Sequence, residues 1–211
     1  MPYLLRYVNQ WRLIRKCKRN KAIILTFDDG PGAVVTPLLL DLFKKNEVTA
    51  NFFILGSKIE GNESIIKEMS SLGHEIGSHG FSHLNAFKTN PLTSIRDISR
   101  CIKALSNIGI ECKLFRPPYG KINIFTWSYL LSKKQQSCWW SDDSGDTFAQ
   151  LPCPISFASK IVNKGGGVVL MHDHHKSQER INFIINSTTK IIELAKKNGL
   201  EIKTFGQVLD L

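Results

Sequence analysis

Two adjacent carboxylates, Asp28 and Asp29, follow the apolar run Ile23–Phe27 and precede a Gly-Pro pair. Because neighbouring like charges repel, a bound cation is a natural partner for one carboxylate, and the other is then free to act as a base. The alternative is a plain turn, in which the aspartate side chain hydrogen-bonds the backbone ahead of the glycine. The pair taken alone leaves both interpretations open.

Two histidines, His79 and His83, stand four residues apart in the segment HGFSH. Side chains at this spacing project the same way from a helix, and a tight loop can also make them converge, so the pair is a possible zinc pair. A purely structural role is the alternative. Together with Asp29 they would form a His/His/carboxylate set that leaves positions open for water and substrate, which is the catalytic pattern.

Three more polar segments follow apolar runs: RPPYG from Arg116, WWSDDSGD ending at Asp146, and LMHDHH from Leu170. The two prolines make the chain rigid where it leaves the strand, and a rigid exit followed by glycine can direct a backbone N–H group at a developing oxyanion. An ordinary turn that ends a strand is the alternative. His172 emerges from a buried run, where a histidine can serve as an acid if a nearby carboxylate keeps it charged.

These segments need a scaffold that brings them together. In the rest of the chain, short apolar runs alternate with amphipathic stretches of helical periodicity. The runs predict strands at Ile23–Phe27, Thr49–Leu55, His74–His79, Lys113–Pro117, Cys138–Asp142, Gly167–His172 and Glu201–Phe205. The amphipathic stretches predict helices at Val35–Lys45, Glu63–Leu72, Leu92–Ile108, Ile124–Lys133, Ile155–Asn163 and Arg180–Asn198. The pattern predicts one α/β domain over residues 22–211 with about seven parallel strands, buried on both faces. Periodicity alone fits both a barrel and an open doubly wound sheet.

The composition is that of a folded domain. The 211 residues are 42% hydrophobic and 22% charged, which excludes a disordered chain, and no apolar run is long enough to span a membrane. The five cysteines are odd in number and form no CxxC pair, so we expect free thiols in a reducing compartment.

Residues 1–21 form a separate basic segment in which Arg and Lys interrupt every apolar run. We therefore predict no signal peptide and a cytoplasmic location. The segment predicts an amphipathic helix that either covers the bottom of the domain or lies on a membrane surface. The net charge of +10 favours an anionic membrane or sugar polymer as a neighbour. Nucleic acid is not expected, because no zinc-finger, RNP-like or helix-turn-helix signature accompanies the charge.

Taken in order, TFDDGP, HGFSH, RPPYG, WSDDSGD and LMHD resemble the five motifs of the NodB-homology polysaccharide deacetylases, carbohydrate esterase family four. The resemblance covers residues 22–211. It implies a distorted (β/α) barrel of about seven parallel strands and one divalent metal ion, usually zinc. It also implies hydrolysis of N-acetyl groups, which are linear amides, on poly- or oligosaccharides of the N-acetylglucosamine type.

The resemblance assigns the hydrolytic half of the site residue by residue. Asp29, His79 and His83 look like the metal ligands. Asp28 resembles the base that takes a proton from the attacking water. Arg116 resembles the residue that pairs with this base and keeps it ionised.

The second half of the site follows in the same way. His172 resembles the acid that protonates the leaving amine, with Asp146 as its carboxylate partner and Asp143 in the companion position. The backbone N–H of Tyr119 looks like the oxyanion donor. Leu170 resembles the wall against which the acetyl methyl group packs.

Two positions depart from the family pattern. Gly80 replaces the Ser or Thr that commonly follows the first metal histidine, so we expect a looser ligand loop. Thr147 stands where the family usually has Trp, which removes one wall near the acetyl pocket. Rival functions are an O-acetyl esterase, a deformylase of a lipid-linked amino sugar and a non-catalytic glycan-binding module. The last is disfavoured because every proposed catalytic side chain is present.

Overall fold

The computed structural model describes the backbone of residues 2–210 and the side chains of residues 7–210. The strands are β1 (Ala22–Gly30), β2 (Asn51–Ile54), β3 (Glu75–Ser78), β4 (Leu114–Phe115), β5 (Gln136–Ser137), β6 (Asp142–Asp143), β7 (Gly167–His172) and β8 (Glu201–Ile202). The helices are α1 (Pro2–Arg19), α2 (Val35–Asn46), α3 (Glu63–Ser71), α4 (Pro91–Asn107), α5 (Ile124–Ser132), α6 (Pro154–Asn163), α7 (Gln178–Lys197) and α8 (Phe205–Leu209). Short 3₁₀ turns occupy Gly56–Lys58 and Pro118–Gly120.

All of these strands pair in parallel, in the order β5-β4-β3-β2-β1-β7-β6, and β8 pairs with the start of β1. The order is that of a seven-stranded barrel opened between β5 and β6. A doubly wound sheet would reverse its winding at a switch point, and this order does not. The sheet curls into a half-barrel, and the predicted distorted (β/α) barrel is confirmed.

Strand β1 shows why the apolar runs are continuous. Ile23, Leu25 and Phe27 pack in the layer between the sheet and the outer helices, while Ala22 and Ile24 face a separate cluster inside the curl. Side chains alternate along a strand, so the positions after Ile24 on the inner face are Thr26 and Asp28. The inner face therefore changes from apolar to polar as β1 approaches its carboxyl end.

Helix α1 covers the opposite end of the half-barrel. Its Leu13 and Cys17 are buried against the amino-terminal residues of β1 and β7 and against Phe205 of α8. The side chain of Gln10 donates a hydrogen bond to the backbone oxygen of Trp140. The helix thus forms the floor of the domain, as one of the two interpretations of the basic segment expects.

Two predicted strands differ from the structure. In place of Cys138–Asp142 there are two short strands, β5 and β6, because the segment between them leaves the sheet and buries Cys138 inside the curl and Trp139 against residues of α4 and α5. The predicted strand Glu201–Phe205 ends at Ile202, since Thr204 forms a capping box that starts α8.

The remaining predicted elements lie close to the observed ones. The five cysteines are all free thiols, as expected. Among the helices that the structure describes, none is long and apolar enough to cross a membrane.

Candidate active site

Asp29 stands at the carboxyl end of β1, where the register with β2 shifts and its backbone adopts a left-handed φ of 67°. Its Oδ1 lies 3.5 Å from Nε2 of His79 and 3.3 Å from Nε2 of His83. This Oδ1 is buried and has no hydrogen-bond partner in the structure. One carboxylate and two imidazoles converging on one point are a fitting donor set for a divalent ion.

The orientation of His79 suits a metal ligand. Its Nδ1 lies 2.8 Å from the backbone oxygen of Arg116. When Nδ1 carries the hydrogen and donates it to that oxygen, the lone pair of Nε2 faces the Asp29 cluster. Burial lowers the pKa of His79 to about 3, so the ring is neutral, as a metal ligand must be.

Asp28 is buried beside Arg116, whose side chain is fully buried. Nη1 of Arg116 donates to Oδ1 of Asp28 at 2.8 Å and to the hydroxyl of Thr26 at 2.7 Å. The guanidinium also lies over the ring of Phe53, 4.2 Å from its centroid. Burial raises the pKa of Asp28, and the charge of Arg116 opposes that rise. The result is an oriented carboxylate suited to accept a proton.

His172 ends β7 and is paired with Asp28 in the parallel ladder. Its Nδ1 lies 3.0 Å from Oδ1 of Asp146, and its backbone N–H donates to Oδ2 of Asp146 at 2.7 Å. Burial lowers the pKa of His172, but the hydrogen bond and charge of Asp146 more than offset this and raise it to about 9. Asp143 makes no such contact here, and its Oδ1 instead accepts the backbone N–H of Gly145 at 2.9 Å.

The carboxylate of Asp146 has a second histidine beside it. Nε2 of His175 lies 3.3 Å from its Oδ2, and Arg180 donates to the backbone oxygens of Asp146 and Phe148. Burial alone would raise the pKa of Asp146, but the hydrogen bonds from both histidines hold it well below its usual range. Of the histidines in LMHDHH only the first, His172, was predicted to act in catalysis, and His175 was not.

Asp173, the next residue after β7, connects the carboxyl ends of β7 and β1. Its side chain is fully buried and accepts a hydrogen bond from Thr36 at 2.5 Å. The backbone of Gly30 and Gly32 packs so closely on Asp173 that a Cβ at either glycine would clash with it. Burial raises the pKa of Asp173 to about 6.

The site therefore holds three parts that complement one another. A donor set for a divalent ion lies next to a buried carboxylate, and a cationic histidine faces them from the neighbouring strand. This combination can polarise an acyl group, activate a water molecule and protonate a leaving group, which is the chemistry of amide hydrolysis.

Residues 15–135 match the family model described as polysaccharide deacetylase. Over 192 residues the chain is 31% identical to a peptidoglycan-N-acetylglucosamine deacetylase of Bacillus cereus, covering 90% of this chain and 89% of that one. The chain belongs to the polysaccharide deacetylase family. It is a NodB-homology deacetylase that acts on amide bonds.

Two further relatives of this polysaccharide deacetylase extend the comparison. The peptidoglycan-N-acetylglucosamine deacetylase PgdA of Listeria monocytogenes is 36% identical over 168 residues, which are 78% of this chain but only 35% of PgdA. The crystal structure of the Bc1960 peptidoglycan N-acetylglucosamine deacetylase superposes with a TM-score of 0.83 at 27% identity. That match covers 92% of this chain and 94% of the other.

The ligand loop of this deacetylase is braced, contrary to the looseness expected from Gly80. Gly80 has a φ of 77°, a conformation that L side chains rarely adopt. The carboxylate of Asp97 accepts the backbone N–H groups of Phe81 at 2.8 Å and Ser82 at 3.0 Å. A Cβ at residue 80 would lie 2.8 Å from that carboxylate. The glycine thus lets the loop close onto Asp97, a residue that no motif marked.

The remaining predicted positions are Tyr119, Leu170 and Thr147. Tyr119 has a left-handed φ of 57°, and its exposed ring packs edge-on against His83 with centroids 4.5 Å apart. Leu170 is buried two residues before His172 and so lies on the same face of β7. Thr147 is exposed and is followed by Phe148, which is also exposed.

Proposed function

We propose that this polysaccharide deacetylase removes N-acetyl groups from N-acetylglucosamine units of peptidoglycan-type glycans with the help of a divalent metal ion, usually zinc in this family. The observation that carries the proposal is the convergence of Asp29, His79 and His83 beside the buried Asp28. The Bacillus cereus and Listeria relatives are peptidoglycan-N-acetylglucosamine deacetylases, and this similarity supports the choice of sugar.

The first half of the reaction needs a nucleophile and a polarised carbonyl. A divalent ion held by Asp29, His79 and His83 would supply a Lewis acid to the acetyl oxygen. Asp28 takes a proton from the water that attacks the acetyl carbon. Arg116 holds Asp28 through Nη1 and favours its charged form, so the base is oriented before the substrate arrives.

The second half needs a proton at the amine nitrogen. The backbone N–H of Tyr119 donates to the developing oxyanion, while Leu170 contacts the acetyl methyl group. As the carbon–nitrogen bond breaks, His172 passes a proton to the nitrogen. Asp146 remains an anion beside the imidazole throughout. The products are acetate and a glucosamine unit, and water has supplied the added hydroxyl and proton.

The charged state of His172 favours amide over ester cleavage. An amine leaves only when it is protonated, whereas an alkoxide or aryloxide leaving group depends less on an acid. Because Asp146 raises the pKa of His172 to about 9, the acid carries its proton at neutral pH. An O-acetyl esterase would gain less from this arrangement.

The test measures acetate and new primary amine released by zinc-loaded protein from N-acetylglucosamine oligomers and purified peptidoglycan, with acetylated xylan and an N-formylated, lipid-linked amino sugar as alternative substrates. We expect amine release from the first two, its loss on chelation and its return with zinc. His172→Ala should lose more rate on the amide than on an activated acetyl ester. Release of acetate from xylan alone, or of formate alone, would replace the proposal with the corresponding rival.

A further inference from the structure

The positive charge of the chain is concentrated on the floor of the barrel. Residues 1–21 contain seven Lys and Arg and no Asp or Glu, and so carry seven of the ten net positive charges. The active site lies at the opposite end of the strands and uses none of these residues. This charge therefore calls for a separate explanation.

Four of the seven cations lie on one side of α1. Arg12, Arg15, Lys16 and Arg19 have the i, i+3, i+4, i+7 spacing of a single helical face. They line a cleft of about 420 Å³ between α1 and the residues of β5 and α8 that face it. Its other lining residues are Asn9, Trp11, Leu13, Gln136, Ser137, Trp139, Phe205 and Leu209. None of these described lining residues is acidic, so the cleft has the charge and partly apolar wall that an anionic amphiphile requires.

Exposed apolar side chains stand beside this basic face. Tyr7 is 66% exposed, Trp11 is 56% exposed and Val8 is 38% exposed. The guanidinium of Arg15 lies over the ring of Trp11, 4.5 Å from its centroid. Aromatic rings and cations side by side on an interfacial helix match the headgroup region of a bilayer, where the rings leave water and the cations meet phosphates.

We propose that α1 docks this protein on an anionic phospholipid surface, with the phosphate group of one lipid in the cleft lined by Arg12, Arg15, Lys16 and Arg19. A soluble polyanion would satisfy the cations equally well. It would leave Tyr7, Val8 and Trp11 in water, however, and the exposure of these three side chains therefore favours the lipid.

This docking would fix the direction in which the active site faces. Strand β1 begins at Ala22, next to the floor, and reaches the catalytic end at Asp28, which at about 3.3 Å per residue places the site roughly 20 Å from the start of the strand. The site then opens away from the lipid. Given the proposed function, its substrate is a glycan that extends well beyond the membrane surface rather than a sugar attached directly to a lipid headgroup.

The experiment uses the full chain and sedimentation with vesicles of phosphatidylcholine alone or mixed equally with phosphatidylglycerol. We expect binding to the mixed vesicles only, weakening as salt is added, with a blue shift of tryptophan fluorescence that Trp11→Ala reduces. Removing three charges in Arg12→Gln/Arg15→Gln/Arg19→Gln should lower the partition coefficient about a hundredfold. A matched control, Lys67→Gln/Arg96→Gln/Lys103→Gln, removes the same charge from exposed positions on α3 and α4.

Activity on soluble oligosaccharide and the melting temperature of each variant separate loss of docking from loss of folding or of the proposed activity. The proposal is overturned if both triple variants weaken vesicle binding equally, because net charge then suffices. It is also overturned if dextran sulfate binds through the same arginines while the mixed vesicles do not, because the partner is then a soluble polyanion.

Discussion

The carboxylate of Asp146 holds both the ring and the backbone of His172. Oδ1 lies 3.0 Å from Nδ1, and Oδ2 accepts the backbone N–H at 2.7 Å. Asp146 belongs to the loop after β6, whereas His172 ends β7, so the acid is fixed by a segment outside its own strand. With Nδ1 engaged in this way, Nε2 is the nitrogen that can give a proton to the substrate.

Asp146→Asn should move the alkaline limb of the rate profile to lower pH. The carboxylate favours the charged imidazole, so its removal lowers the pKa of His172 from about 9 toward the ordinary value of 6.5 or below. The acid works only when protonated, and the rate then falls at a lower pH than in the wild type. A pH series of kcat on the amide substrate measures this. An unmoved limb in Asp146→Asn, with a moved limb in Asp143→Asn, would give the partner role to Asp143.

His175→Phe should move the same limb in the opposite direction. Its Nε2 lies 3.3 Å from the carboxylate of Asp146. This hydrogen bond offsets part of the negative charge of Asp146 that would otherwise stabilise the protonated form of His172. Without that bond Asp146 attracts the proton of His172 more strongly, and the pKa of His172 rises. His175→Gln keeps a donor and serves as the matched control. A limb that shifts equally in both variants would contradict this role.

Asp28→Asn should preserve the fold and metal content but lose about 10²–10⁴-fold in kcat, the usual contribution of a positioned base. The amide keeps the shape of the side chain and can still contact Arg116, but it cannot accept the proton of water. Circular dichroism and metal analysis provide the controls. Turnover near that of the wild type in metal-loaded Asp28→Asn protein would remove the base assignment.

One zinc ion should bind per chain, with ligand distances of about 2.0–2.2 Å to Asp29, His79 and His83. Zinc at a hundred times its dissociation constant would stabilise the fold by about 2.7 kcal/mol, so the melting temperature should rise on addition. Asp29→Ala/His79→Ala should lose both effects, while Asp143→Ala should keep them. Equal zinc stoichiometry in the double variant would contradict the ligand set.

Gly80→Ala should weaken both folding and metal affinity. A positive φ costs an L residue about 1–3 kcal/mol, and the new Cβ also presses on Asp97. Gly109→Ala is the control, since Gly109 has a similar φ of 84° and open space around it. We expect a larger loss of melting temperature in Gly80→Ala, together with weaker zinc binding. Identical behaviour of the two variants would mean that Asp97 does not brace the ligand loop.

Much of the fold was predictable because strand ends and polar motifs coincide along the chain. The residues Ala22–Leu25 are apolar on both faces of β1, and only a strand covered on both sides buries such a run. Parallel strands place their carboxyl ends together, so the motifs after them had to meet at one end. The order of the strands could be read only from the structure, because the same alternation of strands and helices fits both a barrel and an open sheet.

The supporting residues could not be predicted in the same way. Asp97 lies within α4, where a single polar residue on a helix resembles any solvent-facing one. Its role depends on where α4 packs against the HGFSH loop. The break between β5 and β6 likewise depends on the burial of Cys138 inside the curl and of Trp139 against Ile98 and Leu130, which local periodicity does not encode.

The close packing of Gly30 and Gly32 on Asp173 has a consequence for protein engineering. Residues 30–32 and residue 173 are far apart in the chain, yet a side chain added at Gly30 or Gly32 would clash with Asp173. A chimera that takes TFDDGP from this chain and LMHD from a relative with a different contact should therefore fold poorly, even if each motif is intact. The two segments should be transplanted, and selected in libraries, as one unit.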